Sequence, residues 1–305
     1  MYPDQSLKEN VAHGTPQHPV QALRFTAGEG TPFPEHFFVE RHWHNEVEFH
    51  FIRKGTYLFE INLENHILRE GDICILNSGD LHQITGQCTD AVHDVILFDP
   101  QILNFSYMDE WEREYIAPFV KQALIFRNIL HPDEAGYSEI KDTFGKMMEK
   151  AMSASPGWYV RSKLLLLELF DLMTGHQMLL PAKDLMSETD ARKIERYKTI
   201  ISYMEKHYRD PISLQQLADA ISCNSQYLCR FFREIAGVSP IQYLITYRLE
   251  QACALLVHTE QPVTEIALDC GFDNISYFIR KFKAVKGCTP KKYREKHSCR
   301  FSPSI

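Results

Sequence analysis

Four things are missing from this chain of 305 residues. No stretch approaches the roughly 20 apolar residues needed to span a bilayer, and Met1–His18 is polar, with none of the apolar centre of an export signal. Both absences argue against a membrane helix and lead to the expectation of a soluble, cytoplasmic protein. Cysteine pairs are missing as well. The eight cysteines, at 74, 88, 223, 229, 253, 270, 288 and 299, include no Cys-x-x-Cys spacing, so reduced, mostly buried thiols are expected rather than a disulfide framework. Finally, there is no overall positive charge, since the formal net charge is −7.

That deficit is unevenly spread. Residues 190–305 carry 18 Lys and Arg against 12 Asp and Glu, a surplus of +6, while residues 1–189 carry 15 against 28, a deficit of −13. An acidic surface repels phosphate, so any affinity for nucleic acid belongs to the C-terminal third. The length suits two domains with cores large enough to fold without staples.

A segment in that third occurs twice. Tyr227-Leu-Cys-Arg-Phe-Phe-Arg-Glu-Ile-Ala-Gly-Val-Ser-Pro-Ile-Gln-Tyr243 recurs fifty residues later as Tyr277-Phe-Ile-Arg-Lys-Phe-Lys-Ala-Val-Lys-Gly-Cys-Thr-Pro-Lys-Lys-Tyr293, with six of seventeen positions identical. Each copy predicts a helix with Leu228/Phe232 or Phe278/Phe282 inward and a basic outer side. Gly237 or Gly287 would close it in the left-handed conformation. Ser239-Pro240 or Thr289-Pro290 would then start the next helix as N-cap and first residue.

Ahead of the first copy, Ser213 and Gln216 form a capping box on a short helix with Leu214, Leu217, Ala218 and Ile221 inward. Ahead of the second, Val263–Gly271 repeats the pattern with Ala267 at the close approach. These are two helix-turn-helix units, about 213–236 and 263–286. The helix between them, Pro240–Leu256, would span roughly 25 Å and could hold two recognition helices about one DNA turn, near 34 Å, apart.

On the helical wheel the outward or flanking positions are Ser225, Gln226, Cys229, Arg230 and Arg233 in the first unit. In the second they are Ile275, Ser276, Ile279, Arg280 and Lys283. Arg230 and Arg280 suit bidentate pairing to guanine, and Gln226 suits adenine; either arginine could instead contact phosphate or solvent. Lys291, Lys292 and Arg294 suit phosphate at the start of the last helix. Because the outward residues differ, each unit would read different bases.

Residues 1–19 are expected to be disordered or extended. Residues 20–105 alternate with period two at Val47/Phe49/Phe51, Tyr57/Phe59/Ile61/Leu63 and Ile73/Ile75, with turns at Gly55, Asn65, Gly71-Asp72 and Ser78–Asp80, which favours a barrel or sandwich. Residues 106–180 turn helical. They carry one stripe at Ile140, Phe144, Met147, Met148 and Ala151 and another at Leu164, Leu165, Glu168, Leu169, Leu172 and Met173, for packing on the barrel or for dimerisation. Residues 181–191 look like a linker, 192–297 a helical domain, and 298–305 a tail.

The β half carries a second constellation: His42-x-His44, then Glu48, and downstream Gly71, Asn77, Gly79 and His82. Of these, His42, His44, Glu48 and His82 make a sound ligand set for Zn, Mn, Fe or Ni. Parity puts Glu46, Glu48 and His50 on one face of a strand and Val47, Phe49 and Phe51 on the other. A bend near Asn45 is needed to bring His44 and Glu48 together. An effector pocket built from His42, His44, Glu46, Glu48, His50, Tyr57 and His82 without any metal fits the same residues. Trp43, Phe37, Phe38 and Tyr57 could supply stacking surfaces.

On these motifs residues 192–297 resemble the DNA-binding domain of the AraC/XylS family of transcription regulators. The marks are Ser213-Leu-x-x-Leu-Ala218, Tyr227-Leu-x-Arg-x-Phe232, Ile266-Ala267, Gly271-Phe272, Tyr277-Phe-x-Arg-x-Phe282 and Gly287-x-Thr-Pro-x-x-Tyr-Arg294. The histidine and glutamate spacing resembles both cupin motifs, with departures at Asn77, where proline is usual, and at Gly86, where asparagine is common. The resemblance implies an α+β chain: a cupin-like sensor barrel followed by helices, then an all-α DNA-binding domain. It implies a homodimeric, non-enzymatic regulator of promoter DNA, commonly an activator working with RNA polymerase. The effector would be a small molecule, carbohydrate favoured, with a divalent metal possible and no cofactor required. A metal-dependent cupin enzyme fused to a DNA-binding domain is the alternative.

Overall fold

A computed structural model describes residues 13–26, 37–153 and 155–298. The expectations for residues 1–12, for Cys299 and for the rest of the tail lie outside these. The chain forms two compact units that divide between Arg192 and Lys193.

Two antiparallel sheets build the barrel of the first unit. One holds β1 (Val20–Thr26), β8 (Val92–Phe98), β3 (Val47–Lys54), β6 (Ile73–Leu76) and β10 (Ile129–Leu130), in that order; the other holds β2 (Phe38–His42), β7 (His82–Gly86), β4 (Thr56–Ile61) and β5 (Glu64–Arg69). Alternation decides which way each side chain faces. Ile52, Cys74 and Leu76 of the first sheet share a buried core with Tyr57, Phe59, Ile61 and Ile84 of the second. Val47, Phe49, Ile73, Ile75 and Ile96 point the other way, onto helices. Those helices are α2 (Tyr137–Ser153), burying Ile140, Phe144, Met147 and Met148, and α3 (Trp158–Gly175). At about 25 cal/mol per Å² of apolar area removed from water, this outer core ties the sheet to its helices.

Several expectations need correcting. The hairpin between β4 and β5 turns at Asn62-Leu63, both with positive φ (50° and 75°), so Leu63 is a turn residue and Asn65 lies in a strand. Thr15 and His18 bridge across a tight turn instead of being disordered. Region 106–180 is not purely helical. After α1 (Ala117–Val120) it supplies β9 (Leu124–Phe126) and β10, which adds to β6 as an edge strand of the barrel sheet. The buried face of α3 is Ser162, Leu165, Leu166, Leu169, Phe170 and Met173, leaving Leu164 exposed.

The 181–191 linker is instead occupied by structure. Pro181 ends β11 (Leu179–Pro181), which pairs with β9. One turn, α4 (Ala182–Leu185), follows, and α5 (Glu188–His207) starts within the stretch. Of the described cysteines, Cys74, Cys253 and Cys270 are buried but Cys88, Cys223, Cys229 and Cys288 are only half-buried. Asn77 explains how the β9 segment docks: its amide accepts from the Phe126 backbone N–H (2.8 Å) and donates to the Phe126 carbonyl (2.9 Å). A proline at that position would have no side-chain amide to offer.

The second unit is helical: α5, α6 (Leu214–Ala220), α7 (Ser225–Ala236), α8 (Pro240–His258), α9 (Val263–Asp269), α10 (Ile275–Lys286) and α11 (Pro290–Ser298). Ser213 and Gln216 form the capping box of α6. Asn224 and Asn274 cap α7 and α10 by accepting from Tyr227 and Tyr277 N–H, both at 2.8 Å. Gly237 and Gly287 close the same helices at φ of 71° and 70°. Leu228, Phe232, Phe278 and Phe282 are fully buried, as the helical wheel predicts.

Candidate functional site

Inside the barrel, His42 at the end of β2 lies opposite His82 at the start of β7. Nothing in β3 alone would bring His44 near them. The chain bends at Asn45–Glu46, so β3 starts at Val47 and His44 turns back over the pair. Ligand atoms of His42, His44 and His82 all lie within 4.8 Å of one another, and all three residues are buried.

Each ring uses Nδ1 in the same way. His42 Nδ1 meets the Glu40 carbonyl (2.8 Å), His44 Nδ1 the Glu46 carbonyl (3.1 Å) and His82 Nδ1 the Asp80 carbonyl (2.9 Å). A carbonyl can only accept, so each Nδ1 carries the proton. Nε2 of His82 is then left as a lone pair and, fully buried, has no hydrogen-bond partner. An Nδ1–H held by a backbone carbonyl fixes the ring and turns Nε2 toward the shared centre, as in metal-ligating imidazoles.

Glu48 completes the group. One oxygen lies 3.1 Å from His44 Nε2 and the other 2.6 Å from His50 Nε2. Burial works to raise its pKa, but His44 and His50 on either side outweigh that and hold the carboxyl well below the usual carboxylate range. His50 therefore orients Glu48 rather than joining the cluster. Burial, reinforced by His42, pushes the His82 pKa well down.

The predicted site residues thus separate. His42, His44, Glu48 and His82 come together, and His50 supports them. Glu46 stays outside the strand, beside His44 Nδ1 at 3.5 Å. Tyr57 is fully buried elsewhere, with its hydroxyl on His93 Nδ1 (2.9 Å), and burial raises its pKa. His93 is the residue that sequence reasoning missed. It is fully buried in β8, stacked on Phe25 at 5.2 Å and 5.5 Å from the His50 ring, and burial pushes its pKa well down. Parity with Val95 and Leu97, which face inward, was the available signal.

The helical unit turns its polar groups outward. Gln226, Arg230 and Arg233 on α7 are exposed, as are Ser276, Ile279, Arg280 and Lys283 on α10 and Lys291 and Lys292 on α11. Cys229 and Ile275 are half-buried, and Ser225 donates to Gln215 of α6 (3.1 Å). Arg230 lies over the Tyr227 ring at 5.9 Å and Arg280 over the Tyr277 ring at 5.4 Å. A cation resting on an aromatic face one turn back loses rotamer freedom before any partner arrives. Arg294 departs from its expected phosphate role: its guanidinium is spent on the backbone carbonyls of Leu256 and Gln261. Among the described residues no helix is long and apolar enough to cross a membrane.

A barrel with an inward-facing polar cluster, followed by two capped helix-turn-helix units, is the architecture of a ligand-binding transcription regulator. The profile of an AraC-like ligand binding domain matches residues 27–170, and that of a helix-turn-helix domain matches residues 217–296. The chain belongs to the AraC family of transcription regulators. It is 28% identical over 304 residues to the HTH-type transcriptional regulator YdeC of Bacillus subtilis, covering 97% of this chain and 98% of that protein. It is 27% identical over 246 residues to the arabinose operon regulatory protein of Salmonella typhimurium, covering 79% of this chain and 80% of the relative. Among solved structures, the C-terminal domain of the response regulator yesN from Fusobacterium nucleatum is 36% identical, covering 33% of this chain and 98% of that one, with a TM-score of 0.32.

Proposed function

We propose that this regulator activates transcription when a small molecule, in the first instance a carbohydrate, occupies its barrel. The observation that carries the DNA half of this reading is the repeated pair Tyr227/Arg230 and Tyr277/Arg280 on the exposed sides of two capped helices. Arg230, Arg280, Gln226 and Ser276 would meet base edges, and Arg233, Lys283, Lys291 and Lys292 would meet phosphates. The carbohydrate is favoured by the likeness to a regulator named for an arabinose operon and by the His50 and His93 imidazoles set beside the Phe59 and Phe25 rings.

His42, His44, His82 and Glu48 fit a divalent ion such as Zn, Mn, Fe or Ni. The Nδ1 atoms are already committed to carbonyls, so Nε2 of the imidazoles and the Glu48 carboxylate would hold the cation. Such an ion would offer a Lewis-acidic anchor for a ligand oxygen; His50 would keep Glu48 in position. Val160 and Leu164, exposed one turn apart on α3, would form part of a homodimer contact. RNA polymerase would be the partner at the promoter.

The test is selection of DNA from a random library by the full chain, repeated with a panel of pentoses, hexoses and sugar acids. One enriched sequence, with affinity or oligomeric state shifted by one sugar class, is the expected result. Enrichment of no sequence would overturn the DNA reading. Enrichment unaffected by any sugar would overturn the carbohydrate. Elemental analysis of the purified protein, with and without His82→Ala, tests the metal separately.

A further inference from the structure

The two helix-turn-helix units are each closed by an arginine from the helix that follows. In the second unit Arg294 of α11 donates to the carbonyls of Leu256 (3.2 Å) and Gln261 (2.5 Å), in the chain leading into α9. In the first, Arg248, midway along α8, donates Nε to the Tyr208 carbonyl and Nη2 to the Asp210 carbonyl, both at 2.7 Å, in the chain leading into α6. The clamp is the same device used twice, and the first touches the other unit as well. The Arg248 guanidinium lies 5.9 Å from the centre of the Phe272 ring. A Cβ built on Gly271 would stand 2.4 Å from the Tyr208 carbonyl oxygen and 3.0 Å from the Arg248 guanidinium. The turn that aims α10 therefore rests directly on the clamp that closes the α6–α7 unit.

We propose that Arg248 is a positioning residue for DNA recognition: by holding Tyr208 and Asp210 of the first unit and seating Gly271-Phe272 of the second, it fixes the rotational phase between α7 and α10. The proposal rests on the reading that these two helices enter the DNA grooves. The connector α8, 19 residues and so about 28 Å long, sets how far apart the units are. Rotation of one unit about that rod is resisted by contacts off its axis, and the Arg248 clasp is one, made by two charge-assisted bonds to backbone. Recognition tolerates little error, on the order of 0.5 Å and 10–20°. An extra base pair between two motifs moves one by about 3.4 Å and turns it by about 35°. A chain with a fixed phase should accept two motifs at one spacing only.

The experiment uses the full chain and the bipartite DNA site it selects from a random library, with zero, one or two base pairs inserted between the motifs. For the unaltered chain each insertion should cost at least about 10-fold in affinity, because the second motif is then out of reach. Arg248→Met keeps the apolar stem and removes the clasp. It should bind the uninserted site about 10-fold more weakly, lose less than about 3-fold on insertion, and bind a DNA with only the first motif as the unaltered chain does. Arg248→Lys, which keeps one donor, should fall between. A folded Arg248→Met that retains the full insertion penalty overturns the proposal, as does equal weakening on the single motif, which is what a merely structural role would give. If Arg248→Met does not fold, Arg248→Lys decides: a reduced insertion penalty supports the proposal and an unchanged one overturns it. A selected site with a single motif sinks the phase while leaving DNA binding intact. Selection of no sequence at all removes the reading beneath it.

Discussion

The two units handle polar chemistry in opposite ways. In the barrel it is turned inward: His42, His44, Glu48, His50, His82 and His93 are all buried, and most hydrogen-bond one another or a nearby carbonyl. In the helical unit it is turned outward: Arg230, Arg233, Arg280 and Lys283 are exposed, and its interior is apolar apart from clasped termini and turns. The contrast teaches what a substitution will report. A polar residue lost from the barrel removes stability and function together, whereas one lost from the recognition helices removes function alone.

The largest expected effect comes from the buried side. Asn77→Ala leaves the Phe126 N–H and carbonyl without their partners, at roughly 1–3 kcal/mol each. Calorimetry should show the melting of the first unit falling steeply while the second is unmoved. Next is the position where the contrast breaks. Gly271→Ala, in the exposed helical unit, combines a φ of +78° with a Cβ pressed against a backbone oxygen, and should cost about 3 kcal/mol. Ser222 occupies the corresponding turn of the first unit at φ 52°. Ser222→Gly should therefore stabilise by no more than about 1 kcal/mol. If Gly271→Ala leaves denaturant unfolding unchanged, the two turns are equivalent after all.

Arg230→Ala should abolish selective DNA binding, with about 1–3 kcal/mol of base discrimination lost and circular dichroism and melting unaltered. A gel shift showing unchanged specificity would refute it.

The last effect is a pH dependence confined to the barrel, absent at neutral pH and growing only as the solution is acidified. Burial, with His50 beside it and Glu48 opposing, holds the His93 pKa well below its ordinary value. As pH falls below about 6.5 the unfolded chain takes up a proton that the folded barrel refuses, so stability present above that pH is lost, by about 1.4 kcal/mol per pH unit. The hydroxyl of Tyr57, the other close polar group, stays neutral throughout. His93→Asn should flatten the acid limb of the first unit's melting curve by that one proton. An identical slope would assign the dependence elsewhere.

Much of this was legible in the residues themselves. Period-two alternation located β3, β4 and β6, and Ser213, Gly237, Ser239 and Gly287 announced ends of α6, α7, α8 and α10. Parity put Glu48 and His50 on the face opposite Phe49. What stayed hidden has physical reasons. Strands of two or three residues, such as β9 to β11, are too short to show a period. Leu63 at positive φ carries no mark, because turn grammar expects Gly or Asn there. The Arg248 and Arg294 clasps join groups 33 to 40 residues apart, and their acceptors are backbone carbonyls, which every residue possesses. Arg294 looked like a phosphate ligand for that reason. His93 sat in a strand that is mostly apolar, and only a face assignment singles it out.

The pairing of Ile129–Leu130 with Ile73–Cys74 bears on how such regulators could exchange parts. A sensor severed near residue 105, where the long apolar alternation ends, would keep every histidine of the cluster yet carry a bare sheet margin along β6. It would also strand the Asn77 amide. Raw margins of that kind recruit other chains, so a shortened sensor would clump before it could bind anything. The transplantable piece runs to Arg192, and recombination that respects this seam would yield working chimaeras where shorter cuts yield aggregates.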